Sequence, residues 1–252
     1  MKVSVLSSGS KGNTTYIETK ESKILIDAGN SSKYIINKLI ELNIEPKEID
    51  AILITHIHID HIKGLQVLLK HINPCVYLTK KMHQYLDFID NYKYIETDNF
   101  TIKDIEINVI KTSHDAPDSL GYIINNNNKS IVYITDTGYI NKKYYKILSN
   151  RDIYIMESNH DIEMLNNGSY PFELRQRILS DKGHLSNYDS SKYLCEFIGN
   201  NTKKIILAHL SEENNTPNLA YDTLKERLTK KNNPFNDILI AKQNENTELI
   251  TI

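Results

Sequence analysis

Short runs of branched apolar residues recur along this chain, and most stop at a histidine or an acidic residue. Val3 to Leu6 and Thr14 to Thr19 read as paired strands around the loop Ser7 to Asn13, and Lys23 to Asp27 reads as a third strand. The loop is read as a tight connection needing glycine at positive φ, with an anion-facing nest of backbone N–H groups as the alternative. Ile35, Ile36, Leu39 and Ile40 carry the spacing of one helical face. Ala51-Ile52-Leu53-Ile54 is a continuous apolar run, suited to a strand buried on both faces.

The same alternation continues to the end of the chain. Leu65, Leu68 and Leu69 mark a helix, Pro74 to Thr79 a strand and Lys81 to Asp90 another helix. A strand-like pattern over Asn99 to Val109 leads to Thr112-Ser113-His114-Asp115, and Gly121 to Ile124 with Ser130 to Ile134 flank an Asn-rich hairpin turn. Asp152 to Glu157 and Lys204 to Ala208 read as buried strands. Glu173 to Leu179, Tyr188 to Phe197 and Pro217 to Lys230 read as helices, and Ile238 to Ile252 as a final hairpin around Asn244-Glu245-Asn246. No linker or repeat divides the chain, which predicts one domain over residues 1–252 with two sheets packed together and helices outside.

Composition narrows this picture only a little. The 252 residues carry ordinary apolar and charged fractions, so a proper core can form. A formal net charge of -2 excludes a global basic field for nucleic acid, although 30 Lys and Arg leave room for a local patch. Cys75 and Cys195 have no C-x-x-C partner and are expected as small buried residues in a reducing compartment. The first apolar run is too short for a signal segment and none approaches membrane-spanning length, so the expected location is the cytoplasm.

The chemistry lies where the apolar runs end. His56, His58, Asp60 and His61 fall within six residues after Ile54, and His114, Asp136 and His209 follow later runs. Strand ends on one sheet edge share a rim, so these seven metal-competent side chains can converge. Imidazole and carboxylate suit zinc, manganese or iron, and a carboxylate, Asp136 or Asp60, can bridge two ions where imidazole cannot. A water held between two such ions loses its proton near neutral pH and becomes a nucleophile, which makes hydrolysis the expected reaction. Asp27, at another strand end, is read as a structural brace, and His71 and His83 as residues outside the site. There is no G-x-S-x-G elbow, Walker loop or dinucleotide fingerprint to suggest a different chemistry.

His56-x-His58-x-Asp60-His61, followed by His114, Asp136 and His209, resembles the metallo-β-lactamase-fold hydrolase superfamily. The resemblance implies an α/β four-layer αββα sandwich with two mixed sheets. One divalent ion would be held by His56, His58 and His114, a second by Asp60, His61 and His209, with Asp136 bridging and Asp27 bracing the motif loop. True β-lactamases have a cysteine where this chain has Asp136, which points away from antibiotic hydrolysis. Ser7-Ser8-Gly9-Ser10-x-Gly12-Asn13, Ser158-Asn159-His160-Asp161, Gly183-His184-Leu185-Ser186-Asn187 and His209-Leu210-Ser211-x-x-Asn214-Asn215 resemble, more narrowly, the YycJ/WalJ group of bacterial proteins. That group is regarded as 5′ to 3′ double-stranded DNA exonucleases. His184 is similar to the histidine beside the scissile phosphate in tRNA 3′-processing endonucleases, where it would donate a proton or stabilise phosphoryl charge, with Glu157 orienting it. His160 is given a supporting or structural role alongside a catalytic one.

The leading expectation is therefore a dinuclear metal-dependent phosphodiesterase acting on nucleic acid, DNA first, with catalytic Asp60, His184 and Glu157. A glyoxalase II-like thioester or lactone hydrolase and a tRNA-processing endoribonuclease are the enzymatic rivals. A metal-stabilised scaffold without activity is the remaining alternative.

Overall fold

The computed structural model describes residues 1–252. Its first sheet takes β1 (Lys2–Ser7), β2 (Thr14–Glu18), β3 (Lys23–Ile26), β4 (Ala51–Leu53), β5 (Cys75–Leu78) and β6 (Tyr92–Tyr94). The second takes β7 (Asn99–Ile102), β8 (Ile105–Lys111), β9 (Leu120–Asn126), β10 (Lys129–Ile134), β11 (Ile153–Glu157), β12 (Lys204–Ala208) and β13 (Ile238–Ile240). The last strand, β14 (Ile250–Thr251), returns to the first sheet beside β1, so each sheet has seven strands. Helices cover the outer faces, giving an α/β sandwich of two mixed sheets.

Both sheets follow one plan. From β14 through β1 and β2 to β3 the pairings are antiparallel, and from β3 through β4 and β5 to β6 they are parallel. From β7 to β10 the pairings are again antiparallel, and from β10 to β13 parallel. At each change of direction an aspartate follows the strand in a left-handed backbone conformation: Asp27 after β3 with φ 60° and Asp136 after β10 with φ 52°. A change of direction opens a crevice at the strand ends, and such crevices are where α/β proteins hold their ligands.

Burial explains why these segments became strands. β4 and β11 are buried along their whole length, as their unbroken apolar runs require, whereas β8 alternates inward and outward. A continuous apolar cluster joins Val3, Tyr16 and Ile52 of the first sheet to Ile107, Tyr122 and Ile131 of the second. Tyr122 can be buried there because its hydroxyl donates to the Ile54 carbonyl at 2.6 Å. A second cluster sits between the second sheet and helices Asn187–Phe197 and Pro217–Lys230, whose Leu194, Phe197, Leu224 and Leu228 face inward. Each such side chain contributes about 1.5–3 kcal/mol by leaving water.

Several expectations are corrected. The helix read over Lys81 to Asp90 spans only Lys80–His83. Beyond it, Leu86 and Ile89 are drawn into the core by successive i→i−3 turns, so burial overrides helical continuity. Asn99 to Val109 is two strands, because Lys103, at φ 50°, turns the chain between β7 and β8. The final hairpin does not form: β13 lies parallel to β12, while β14 crosses to the other sheet and pairs with β1. Thr247 anchors that crossing by accepting from Val5 N at 3.0 Å while its carbonyl accepts from Ser4 Oγ at 2.8 Å. Cys75 and Cys195 are half-buried rather than buried. No helix is long and apolar enough to cross a membrane.

Candidate metal centre

β4 ends at Leu53, and the residues after it are fixed by Asp27. This carboxylate accepts from Thr55 N at 2.8 Å and Thr55 Oγ at 2.7 Å, and lies 2.7 Å from His61 Nδ1. Both oxygens of Asp27 are thereby engaged in bracing the loop; burial pushes its carboxyl up, against the pull of His61 and Thr55. Gly29 completes the brace, since a Cβ there would come within 1.7 Å of the Asp60 carbonyl. That same carbonyl accepts from Asn13 N at 2.7 Å, and Asn13 Nδ2 lies 3.1 Å from Asp60 Oδ2 and 3.0 Å from His61 Nε2. The Ser7 to Asn13 loop, turned by Gly9 at φ 139°, therefore clamps the motif from one side.

The structure brings all seven candidate ligands together. His56, His58 and His114 form one group and Asp60, His61 and His209 another, with the ligating atoms of each within 4.8 Å of one another. His58 Nδ1 lies 3.2 Å from His114 Nε2, and Asp60 Oδ2 lies 3.4 Å from His61 Nε2 and 3.3 Å from His209 Nε2. Asp136 stands between the groups: its Oδ2 is 3.2 Å from His61 Nε2, and its Oδ1 is 3.5 Å from His209 Nε2 and 3.8 Å from His114 Nε2. Of the buried atoms in the middle, His56 Nε2 has no hydrogen-bond partner, and Asp136 Oδ2 has only the ion-pair contact with His61 Nε2. Buried polar atoms left without partners are costly, and a cation between them removes that cost.

The far nitrogens of four imidazoles are occupied, which fixes how each ring is presented. His56 Nδ1 lies 3.1 Å from Thr55 Oγ, His61 Nδ1 meets Asp27, His114 Nδ1 lies 3.1 Å from the Gly183 carbonyl, and His209 Nδ1 lies 2.9 Å from Glu157 Oε1. Each ring is left with Nε2 towards the group, the arrangement that orients metal-binding histidines. Glu157 Oε1 also lies 2.7 Å from His184 Nδ1, while its Oε2 accepts from Thr137 N and Leu185 N. Asp136 and His209 both sit in left-handed backbone conformations, His209 at φ 56°, and such strain costs on the order of 1–3 kcal/mol per residue, a recurrent feature of functional sites.

Without metal, the charges of the cluster act on one another. Burial opposes charge on His61, but Asp136, Asp60 and Asp27 outweigh it and hold the ring well above its ordinary value. Burial likewise works against His209, yet Asp136, Asp60 and Glu157 raise it to about 10. His56 is pushed well below its ordinary value by burial and by His61. Glu157 is held at about 2, because His184 and His209 outweigh the cost of burying it. Burial lowers His184, but Glu157 and Asp136 raise it more.

These side chains face a cavity of about 270 Å³ lined by His58, Asp60, His114, Asp136, His184 and His209. His160 does not line it: the residue is buried and bridges Ser186 by backbone pairing. His83 lies elsewhere, bonded to Tyr94 Oη and the Ile89 carbonyl, and His71 is exposed. Three charged lining residues went unread in the sequence. Asp115 stands 3.4 Å from His114 Nε2 and 3.7 Å from His58 Nε2 and pairs with Arg177, and Lys182 lies near them. Asp115 directly follows a candidate ligand and could have been suspected; Arg177 and Lys182 sit in a helix and loop without a local signal.

The model of the β-lactamase superfamily domain matches residues 22–209. This chain belongs to the β-lactamase superfamily. Among its superfamily relatives, Exodeoxyribonuclease WalJ of Streptococcus pneumoniae is 43% identical over 241 residues, covering 91% of this chain and 88% of the relative. Exodeoxyribonuclease YycJ of Bacillus anthracis is 40% identical over 237 residues, covering 90% and 89%. The crystal structure of the metallo-β-lactamase fold protein YhfI from Bacillus subtilis superposes with a TM-score of 0.70 at 17% identity, covering 98% of this chain and 99% of that one. The superfamily fold and the His/Asp groups together suit divalent metal ions.

Proposed function

We propose that this chain, folded as one domain over residues 1–252, is a dinuclear metal-dependent DNA exonuclease. The observation that carries it is the pair of ligand groups with Asp136 between them and the unpartnered His56 Nε2 at their centre. The 40–43% identity to relatives named exodeoxyribonucleases, over most of both chains, supports DNA as the substrate; 5′ to 3′ digestion, which the YycJ/WalJ resemblance implies, is the polarity to test first.

His56, His58 and His114 would hold one ion and Asp60, His61 and His209 the other, with Asp136 shared. Zinc or manganese suits this mixture of imidazole and carboxylate, and iron is compatible. When bound, two such ions supply a water nucleophile at neutral pH and neutralise phosphoryl charge. Asp60 fixes its end of the site through Asn13, which also touches His61. His184 lines the cavity and has Nδ1 tied to Glu157, which leaves Nε2 to protonate the departing oxygen. Glu157 favours the charged form of that ring and at the same time orients His209. Cytoplasmic DNA is the expected encounter, and no particular protein partner is indicated.

The test is a panel of duplex DNAs with defined 5′ and 3′ ends, incubated with protein loaded with zinc, manganese or magnesium. Release of mononucleotides from one end is the expected result. A fully loaded protein that is inert on every DNA but cleaves a glutathione thioester would replace this reading with the thioester hydrolase one.

A further inference from the structure

The cavity above the candidate metal centre is polar on all sides but one. Its three apolar lining residues, Tyr170, Leu174 and Ile178, come from a single stretch, helix Phe172–Leu179 and the residues just before it. Leu174 and Ile178 are four apart and so share a helical face. A short amphipathic helix ordinarily places such a stripe on the core. This helix has no buried residue, and Tyr170, Leu174 and Ile178 are outside both apolar clusters of the fold. Their apolar surface is turned to the cavity. Arg177, on the same helix and paired through Nε with the lining residue Asp115, and Lys182, just beyond it, also line the cavity.

We propose that Tyr170, Leu174 and Ile178 form the seat for the base of the terminal nucleotide, with Arg177 and Lys182 beside it to take the adjoining phosphate. This rests on the exonuclease reading and adds the element that grips the end of the strand. The pairing of surfaces matches a nucleotide: a flat apolar face against an aromatic and two branched side chains, and an anion against Lys182 and the guanidinium nitrogens of Arg177 that its Nε pairing with Asp115 leaves free. An acyl thioester would use the apolar wall but has no call for both cations, and a bare phosphate has no use for the wall. At about 270 Å³ the cavity is a little below the roughly 300–1,000 Å³ of sites for drug-sized ligands, a size for one nucleotide and not a stack of several. The contacts are to a π-face and an edge that every base has, so the seat accepts all four bases.

The experiment compares duplexes ending in a normal nucleotide with duplexes whose terminal residue, at the 5′ end or at the 3′ end, is abasic. Manganese-loaded wild type and Tyr170→Ala/Leu174→Ala are assayed on both. Loss of base stacking is expected to lower wild-type kcat/KM on the abasic end by roughly ten- to hundredfold. The double variant is expected to treat the two ends alike, to within about twofold. The ratio is internal to each preparation, so a partly unfolded variant does not distort it. Wild type indifferent to the missing base, or a variant that keeps the full discrimination, overturns the seat. If wild type is inert on DNA, the exonuclease reading fails, and calorimetric binding of dAMP and of deoxyribose 5-phosphate to zinc-loaded protein decides the seat alone. Equal affinity for the two overturns it, whereas a preference for dAMP that the double variant loses supports it.

Discussion

Glu157 Oε1 lies 2.7 Å from His184 Nδ1, at the end of a buried strand and with a single carboxylate oxygen also within 2.9 Å of His209 Nδ1. One side chain thus couples a candidate metal ligand to the candidate proton donor. Truncating either partner would have different consequences.

His184→Ala is expected to keep both metal ions while kcat falls by roughly 10²–10⁴-fold, the range of a lost general acid. Glu157→Gln is expected to lower kcat and metal affinity together, each by about 10–100-fold, because it misorients His209 as well as His184. Metal content by elemental analysis, set beside kcat, separates the two; equal metal loss in both variants would contradict this division of roles.

Asp27 holds the motif loop with both of its oxygens engaged. Asp27→Ala removes the acceptor of three donors in a buried setting. The expected result is destabilisation by about 1–3 kcal/mol and a metal affinity lower by about 10–100-fold. Urea unfolding and competitive chelation measure both.

Metal removal should destabilise the fold at the site, where buried carboxylates and imidazoles then face one another without a cation. With each ion present at about a thousandfold its Kd, the loss is about 4 kcal/mol per ion, which for a chain of this size is on the order of 10 °C in Tm for each. A chelator-treated sample that melts at the same temperature as the loaded one would count against a built metal centre. Activity should return when zinc or manganese is restored.

Asp104 fastens the two sheets at the ends of the strands away from the site, accepting from Thr19 Oγ at 2.7 Å, Ser22 Oγ at 2.6 Å and Asn126 Nδ2 at 3.0 Å. Burial raises its carboxyl, but the Ser22 and Thr19 hydroxyls together with backbone hydrogen bonds outweigh that and hold it below its ordinary value. A depressed folded value gives stability that is complete above the unfolded value, about pH 4, and that disappears as pH falls through the folded one. Asp104→Asn is therefore expected to cost about 1 kcal/mol at pH 7 and progressively less below about pH 4, as read by denaturant unfolding across that range.

Much of the molecule is written in local pattern. Ala51 to Ile54 announces a fully buried strand because no polar residue interrupts it, and His56, His58, Asp60 and His61 announce a ligand loop because four such groups have no cheap place in an apolar core. Pro217 to Lys230 carries its own start, with proline in the first turn and Thr216 capping it. What local pattern does not contain is where distant strand ends meet. That Asp136 stands between two groups, that Glu157 serves His184 and His209 at once, and that Ile238–Ile240 and Ile250–Thr251 go to different sheets follow only from long-range pairing. Tyr170, Leu174 and Ile178 make the same point: their spacing reads as an ordinary amphipathic face, and only the packed structure shows that the face is turned to the cavity and not to the core. The sequence determined the donor types and the elements that carry them, because propensity and ligand chemistry act within a few residues. Tertiary structure alone decided which donors share a centre and what the cavity above it can hold, because those depend on sheet order and on how loops pack across the rim.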